Sequence, residues 1–175
     1  PAVSDLRSPS MRDRHWKLLM SITQVEFTMG KDFSLADLMK LQLHRFVDDV
    51  GEVVDRATKE DKMEQTLAKL KSTWAVVEFE FERHRDSDVN LMKMKEEDFE
   101  TLEENQMVVQ GMMGSKYLAQ FEDEVVGWQK KLGCVSEVLA GMSEGQRKWA
   151  YLETLFIGSE GVKKELPEST KSFVS

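Results

Sequence analysis

Asp86, Asp88, Asn90 and Glu97 stand at positions 1, 3, 5 and 12 of a calcium loop, a spacing of oxygen donors that can wrap a hard cation. The sixth position, where glycine makes the sharp turn, is Leu91, and the residues before the loop have the pattern of a strand. The stretch therefore reads as a polar hairpin turn. "GMMGSK", residues 111–116, echoes a phosphate-binding loop, which needs a strand in front and a lysine directly after the closing glycine. Here Ser115 precedes Lys116 and the approach is helical, so the segment reads as the end of one helix and the start of another. His15, His44 and His84 are scattered, without an i, i+4 partner or a neighbouring cysteine, which argues against a metal site. Glu96-Glu97 and Glu103-Glu104 look like paired carboxylates, but on an acidic helical chain such pairs serve as solvated faces or as helix-start charges. The reading is of no catalytic, cofactor-binding or metal-ligating residue: no enzyme, and no cofactor.

The remaining composition agrees. The 175 residues suit one segment with a real core, and 24 Lys+Arg against 32 Asp+Glu give a formal charge of −8. That balance opposes nonspecific binding to nucleic acid or an anionic membrane. The short basic run Arg12-Asp13-Arg14-His15-Trp16-Lys17 reads as the solvated face of a helix. Cys134 stands alone, cannot form an internal disulfide, and reads as a small apolar core residue in a reducing compartment. Eleven methionines suit gap filling between helices, with an adaptable binding surface as the alternative. No apolar run approaches the roughly 18 residues of a membrane span, and no signal peptide is evident. Pro1-Ala2 in place of an initiator Met suggests a piece cut from a longer chain.

Stepping along the chain, residues 1–10 read as an extended lead-in. A first helix is expected from Ser10 as N-cap, with Trp16, Leu19 and Met20 on one face. Ser34 can cap a short segment through Leu38 and Met39. Val47, Val50, Val54 and Ala57 form one helical stripe, and Met63, Leu67, Leu70 and Trp74 form another. The step of six from 57 to 63 breaks phase, and Thr58 before Asp61 resembles a capping box, so a helix boundary is expected at "ATKED". In "AVVEFEFER", Val77, Phe79 and Phe81 alternate with Glu78, Glu80 and Glu82, the period of a strand with one apolar face. "RHRDSD" supplies a turn and "VNLMKM" a returning strand, which together place a β-hairpin in 75–94. Helical spacing resumes at Phe99, Leu102, Gln106, Val109 and Met113. From Phe121 through Val125, Trp128, Leu132, Val135, Leu139 and Met142 the steps alternate between four and three, a coiled-coil-like seam, and Trp149, Leu152 and Phe156 keep its phase. A single helix over 121–156 would be roughly 50 Å long. Gly141 and Gly145 should bend or fray it.

With these residues placed, "QRKWAYLETLFIGSEGVKKELPEST" at 146–170 closely resembles the linker region of dynein heavy chains. So do "DLRSPSMRDRHWKLL" at 5–19, "VVDRATKEDKMEQTLAKLKSTWAVVEFEF" at 53–81, "LEENQ" at 102–106 and "WQKKL" at 128–132, in matching order and spacing. "FIGSE" and "ELPE" look more like the axonemal chains of cilia and flagella than the cytoplasmic ones. Where that family often has bulky residues ahead of "QRKW", this chain has Gly141 and Gly145. The resemblance implies one linker segment over 1–175: an early part of a helical lever that lies across a ring of ATPase modules and drives a stroke along microtubules. It implies that the rest of the lever lies beyond Ser175, that the partner is the rest of the motor in cis, and that the place is the axoneme. The segment itself is expected to be monomeric, to touch neither nucleic acid nor membrane, and to be mainly α, an elongated helical bundle with one long helix and a small inserted β-hairpin. The alternatives are a scaffold or tail segment that assembles chains through the seam, and a calcium- or light-chain-responsive module.

Overall fold

The computed structural model describes Leu6, 8–25, 46–85, 89–93 and 95–174. The expected cap at Ser34, the segment through Leu38 and Met39, and His44 lie outside these residues, as do Asp86 and Asp88. The chain is mainly helical, with α1 (Asp13–Thr23), α2 (Val47–Trp74), β1 (Glu80–Arg83), β2 (Asn90–Lys93), α3 (Glu96–Met113), α4 (Glu122–Phe156), α5 (Glu160–Glu165) and α6 (Pro167–Val174), and a 3₁₀ turn at Leu118–Gln120. It divides into two compact units, Pro1–Ala75 with Gly111–Val125, and Val76–Gln110 with Val126–Ser175.

In the first unit α1 packs on α2. Leu6, Trp16, Leu19 and Val50 form a buried cluster, with Met11, Val25, Phe46 and Val54 packed against it. Helix α1 begins at Asp13 with Arg12 as its N-cap, not at Ser10. Ser10 is buried and its hydroxyl donates to Asp61 Oδ2 at 3.4 Å, so it ties the lead-in to α2. Helix α2 runs unbroken for 28 residues through the boundary expected at "ATKED". Its buried positions are Val50, Val53, Ala57, Glu60, Met63, Leu67 and Leu70, all three or four residues apart. Glu60 fills the step that looked empty. A charged residue on the core stripe mimics a phase slip, because an apolar template does not count it. Thr58, expected to cap a new helix, instead donates its hydroxyl to the Val54 carbonyl within the same helix at 2.9 Å. Carboxylates open α2 (Asp48, Asp49), α3 (Glu96, Glu97, Asp98) and α4 (Glu122, Asp123, Glu124), where the helix dipole favours negative charge.

In the second unit β1 and β2 pair antiparallel, Glu80 opposite Lys93 and Arg83 opposite Asn90. The hairpin is short, and its faces differ from the expected pattern. Met92 is buried, whereas Phe81 opposite it is 60% exposed. The His84 N–H donates to the Val89 carbonyl at 2.9 Å, and Arg85 takes a left-handed φ of 51° at the turn. Asn90 lies in the β2 ladder and Glu97 in the first turn of α3, so these two positions of the suspected calcium loop belong to regular elements. "GMMGSK" closes α3, with the Ser115 N–H donating to the Met112 carbonyl.

Helix α4 is 35 residues long and continuous through Gly141 and Gly145, which corrects the expected fraying there. No described glycine has a positive φ, and a Cβ added at either position would meet nothing within 4 Å. Alanine at both should therefore stabilise the chain by about 1 kcal/mol per site. Denaturant melts measure the sum, and amide protection over 139–148 should rise; a net loss would mean these glycines serve a contact that alanine disturbs. The helix ends where it must. At Gly158 a Cβ would lie 2.5 Å from the Thr154 carbonyl oxygen, so any other residue would force the backbone apart.

Candidate functional site

Among the described residues, the side chains that could do chemistry gather in two charge clusters, one in each unit. The first surrounds Glu60, which is fully buried on α2. Arg14 donates through Nε to Oε2 at 2.6 Å, and Arg56, one turn back on the same helix, donates through Nε to Oε1 at 2.8 Å. His15, 1% exposed, places Nε2 3.1 Å from Oε2. Around this centre, Arg12 donates to Asp61 at 3.1 Å and to Glu64 at 2.9 Å, and Arg14 reaches Glu64 at 3.0 Å. Within the basic run read as a solvated face, Arg12, Arg14 and His15 meet carboxylates of α2 and Trp16 is buried, while Asp13 and Lys17 are exposed.

The geometry fixes the state of His15. The Arg12 backbone N–H donates to Nδ1 at 3.0 Å, and a backbone N–H can only donate. Nδ1 is thus bare, the ring proton sits on Nε2, and the neutral imidazole donates to Glu60. Burial holds the His15 pKa below its ordinary 6.5, and the Arg14 and Arg56 charges add to this while Glu60 opposes it. Burial pushes Glu60 up, but the hydrogen bonds from Arg56, Arg14 and His15 outweigh it and hold the carboxyl below its ordinary 4.5.

The second cluster answers why the aromatics of 146–170 are there. His84, just past β1, sits 2.8 Å from Glu153 Oε2, and Glu153 is buried on α4. The His84 ring meets Trp149 edge-on at 5.2 Å, Trp149 stacks on Phe173 at 6.1 Å, and Phe173 packs on Phe156 at 5.5 Å. Gln146 donates to the Met92 carbonyl at 3.4 Å. Trp149 and Phe156 thus hold the hairpin and α6 against α4. Within the continued stripe, Met142 and Leu152 are 37% and 36% exposed, and Glu153 takes the buried place.

Other expectations need correction. Cys134 is exposed and not a core residue. Met63, Met92 and Met112 are buried as gap fillers, while Met107 is 69% exposed. Among the described residues no group of three or more His, Cys, Asp or Glu could hold a metal ion, and no helix is long and apolar enough to cross a membrane. Sequence reasoning missed Glu60 and Glu153. For Glu60 the signal was available, because it stands in the gap between Ala57 and Met63 of an apolar stripe; Glu153 stands beside Leu152, where the stripe has no gap, and nothing local marked it.

The fold and these clusters define a helix-built structural segment, whose charged and aromatic side chains join one element to another. Comparison with known proteins narrows this. The family model "Dynein heavy chain, N-terminal region 2" matches residues 1–175. The chain is 57% identical over 176 residues to the dynein alpha chain of the flagellar outer arm of Chlamydomonas reinhardtii, a match that covers 100% of this chain. It is 48% identical to the ciliary dynein beta chain of Tripneustes gratilla and 46% to mouse dynein axonemal heavy chain 17, each match covering 98% of this chain. In all three the match spans 4% of the relative's length. The chain belongs to the dynein heavy chain N-terminal region 2 family.

Proposed function

We propose that this chain is a non-catalytic linker segment of an axonemal dynein heavy chain, a helical lever that carries force during an ATP-driven stroke along microtubules. The observation that carries the reading is α4, which continues for 35 residues through two glycines. A helix of that length, roughly 50 Å, keeps its direction over many turns and can transmit displacement. The flagellar, ciliary and axonemal names of the relatives support the axoneme as its place. Its partner is the rest of the heavy chain in cis.

The test is made in the intact heavy chain. Gly145→Pro should break α4, because proline removes an intrahelical donor and clashes one turn back. Microtubule gliding should slow several-fold while nucleotide affinity stays unchanged. Gly141→Ala with Gly145→Ala stiffens the same stretch and should alter gliding velocity, again without a change in nucleotide affinity. Unchanged gliding in both variants would defeat the lever reading. Assembly of the isolated chain into concentration-dependent oligomers would favour the scaffold alternative.

A further inference from the structure

We propose that the cluster around Glu60 is an acid-released clasp, in which protonation of His15 undocks α1 from α2. The argument rests on the hydrogen-bond directions at His15. The neutral ring does two jobs: Nδ1 accepts the Arg12 N–H at 3.0 Å, and Nε2 faces Glu60 Oε2 at 3.1 Å. The first bond caps α1, because His15 stands at the third position of the helix and satisfies the N–H of the residue that precedes it. A proton can enter only at Nδ1, since Nε2 already carries one. Protonated, Nδ1–H points at the Arg12 N–H, donor against donor, and the cap is lost.

The surroundings oppose the proton further. From α1 and its cap, Arg12, Arg14 and Lys17 contribute positive charge and Asp13 negative charge; from α2, Arg56 is positive, and Glu60, Asp61 and Glu64 are negative. Glu60 is the carboxylate in contact with the ring, and it is already shared with Arg14 Nε at 2.6 Å and Arg56 Nε at 2.8 Å. From the 115–125 stretch, Phe121 lies under the Arg14 guanidinium at 5.7 Å and adds no charge, while Glu124 pairs with Lys71 at 2.6 Å. An imidazolium is better served in water, where both nitrogens can donate to solvent, than at this site.

Proton linkage then gives the sign. The docked state holds the His15 pKa below 6.5, so the undocked state binds the proton more tightly. Docking is complete above 6.5 and weakens as the pH falls through the window below it, by up to about tenfold per pH unit. Glu60 and Glu64, both held below 4.5, act in the same direction only at lower pH.

The test uses the intact heavy chain and hydrogen–deuterium exchange between pH 7.5 and 5.5, corrected for intrinsic rates. Amide protection across 13–23 should fall by up to about tenfold per unit below 6.5, while protection across 126–156 changes less. In His15→Gln, protection across 13–23 should be flat over that window, because glutamine at this helix position accepts the same N–H and cannot titrate. His84→Gln, at the other paired histidine, should keep the wild-type response. Exchange at the His15 ring carbon gives its titration directly in the unaltered protein, and the midpoint should lie below 6.5. A midpoint at or above 6.5, a response that survives His15→Gln, or uniform loss of protection in both regions would each overturn the clasp. None of these outcomes bears on gliding velocity, so the lever reading stands or falls separately.

Discussion

Replacing Glu60 with alanine should cost about 3–5 kcal/mol of unfolding free energy, the range for removing one partner of a buried ion pair. The loss comes from what is left behind. His15, 1% exposed, keeps a donor with nothing to receive it, and Arg14 and Arg56 lose the carboxylate that neutralised them. Arg56→Ala is the control. Its side chain is 39% exposed, so water replaces much of the lost contact and the cost should be about 1 kcal/mol. Urea denaturation of the two variants measures the difference. Equal costs would mean that Glu60 is solvated in the working protein and that α1 does not dock through it.

The second large effect is expected at Leu132, 1% exposed in the first third of α4. Leu132→Ala should destabilise by about 2–5 kcal/mol, the sum of lost apolar transfer and the cavity that remains. Leu152→Ala, near the C-terminal end of the same helix and 36% exposed, should cost well under that, about 1 kcal/mol. Both residues stand on the same stripe, so a periodicity argument gives them equal weight. Thermal or urea melts that rank them equally would restore the seam as a uniform core. The half-buried Trp128, with Lys131 over its ring at 5.2 Å, lies between these limits.

Much of the fold was legible in the residues themselves. The 3.5-residue steps from Phe121 to Phe156 marked α4 to within one residue at its start. The alternation through Phe79 and Phe81, with polar turn residues after it, marked the hairpin, whose strands occupy Glu80–Arg83 and Asn90–Lys93. These features are local: they depend on the backbone period and on which side chains avoid water, and both are written in consecutive residues. The family, too, could be read from strings such as "QRKWAYLETLF", because a long run of specific side chains is shared by few chains.

What only the tertiary structure decided is where charge replaces oil. Glu60 sits at a buried stripe position where the pattern calls for an apolar residue, and Glu153 is buried while its stripe neighbour Leu152 is 36% exposed. Nothing within a few residues shows that Arg14 and His15 lie 46 and 45 positions from Glu60, or that His84 lies 69 positions from Glu153. A carboxylate can enter a core only when distant donors meet it there, so its burial is a property of the assembled fold. The same holds for the unbroken course of α2 and α4. A phase slip and a capping-box pattern suggest a break at "ATKED", and glycine propensity suggests one at Gly141–Gly145, by about 1 kcal/mol per glycine. Burial along the remainder of each helix outweighs both.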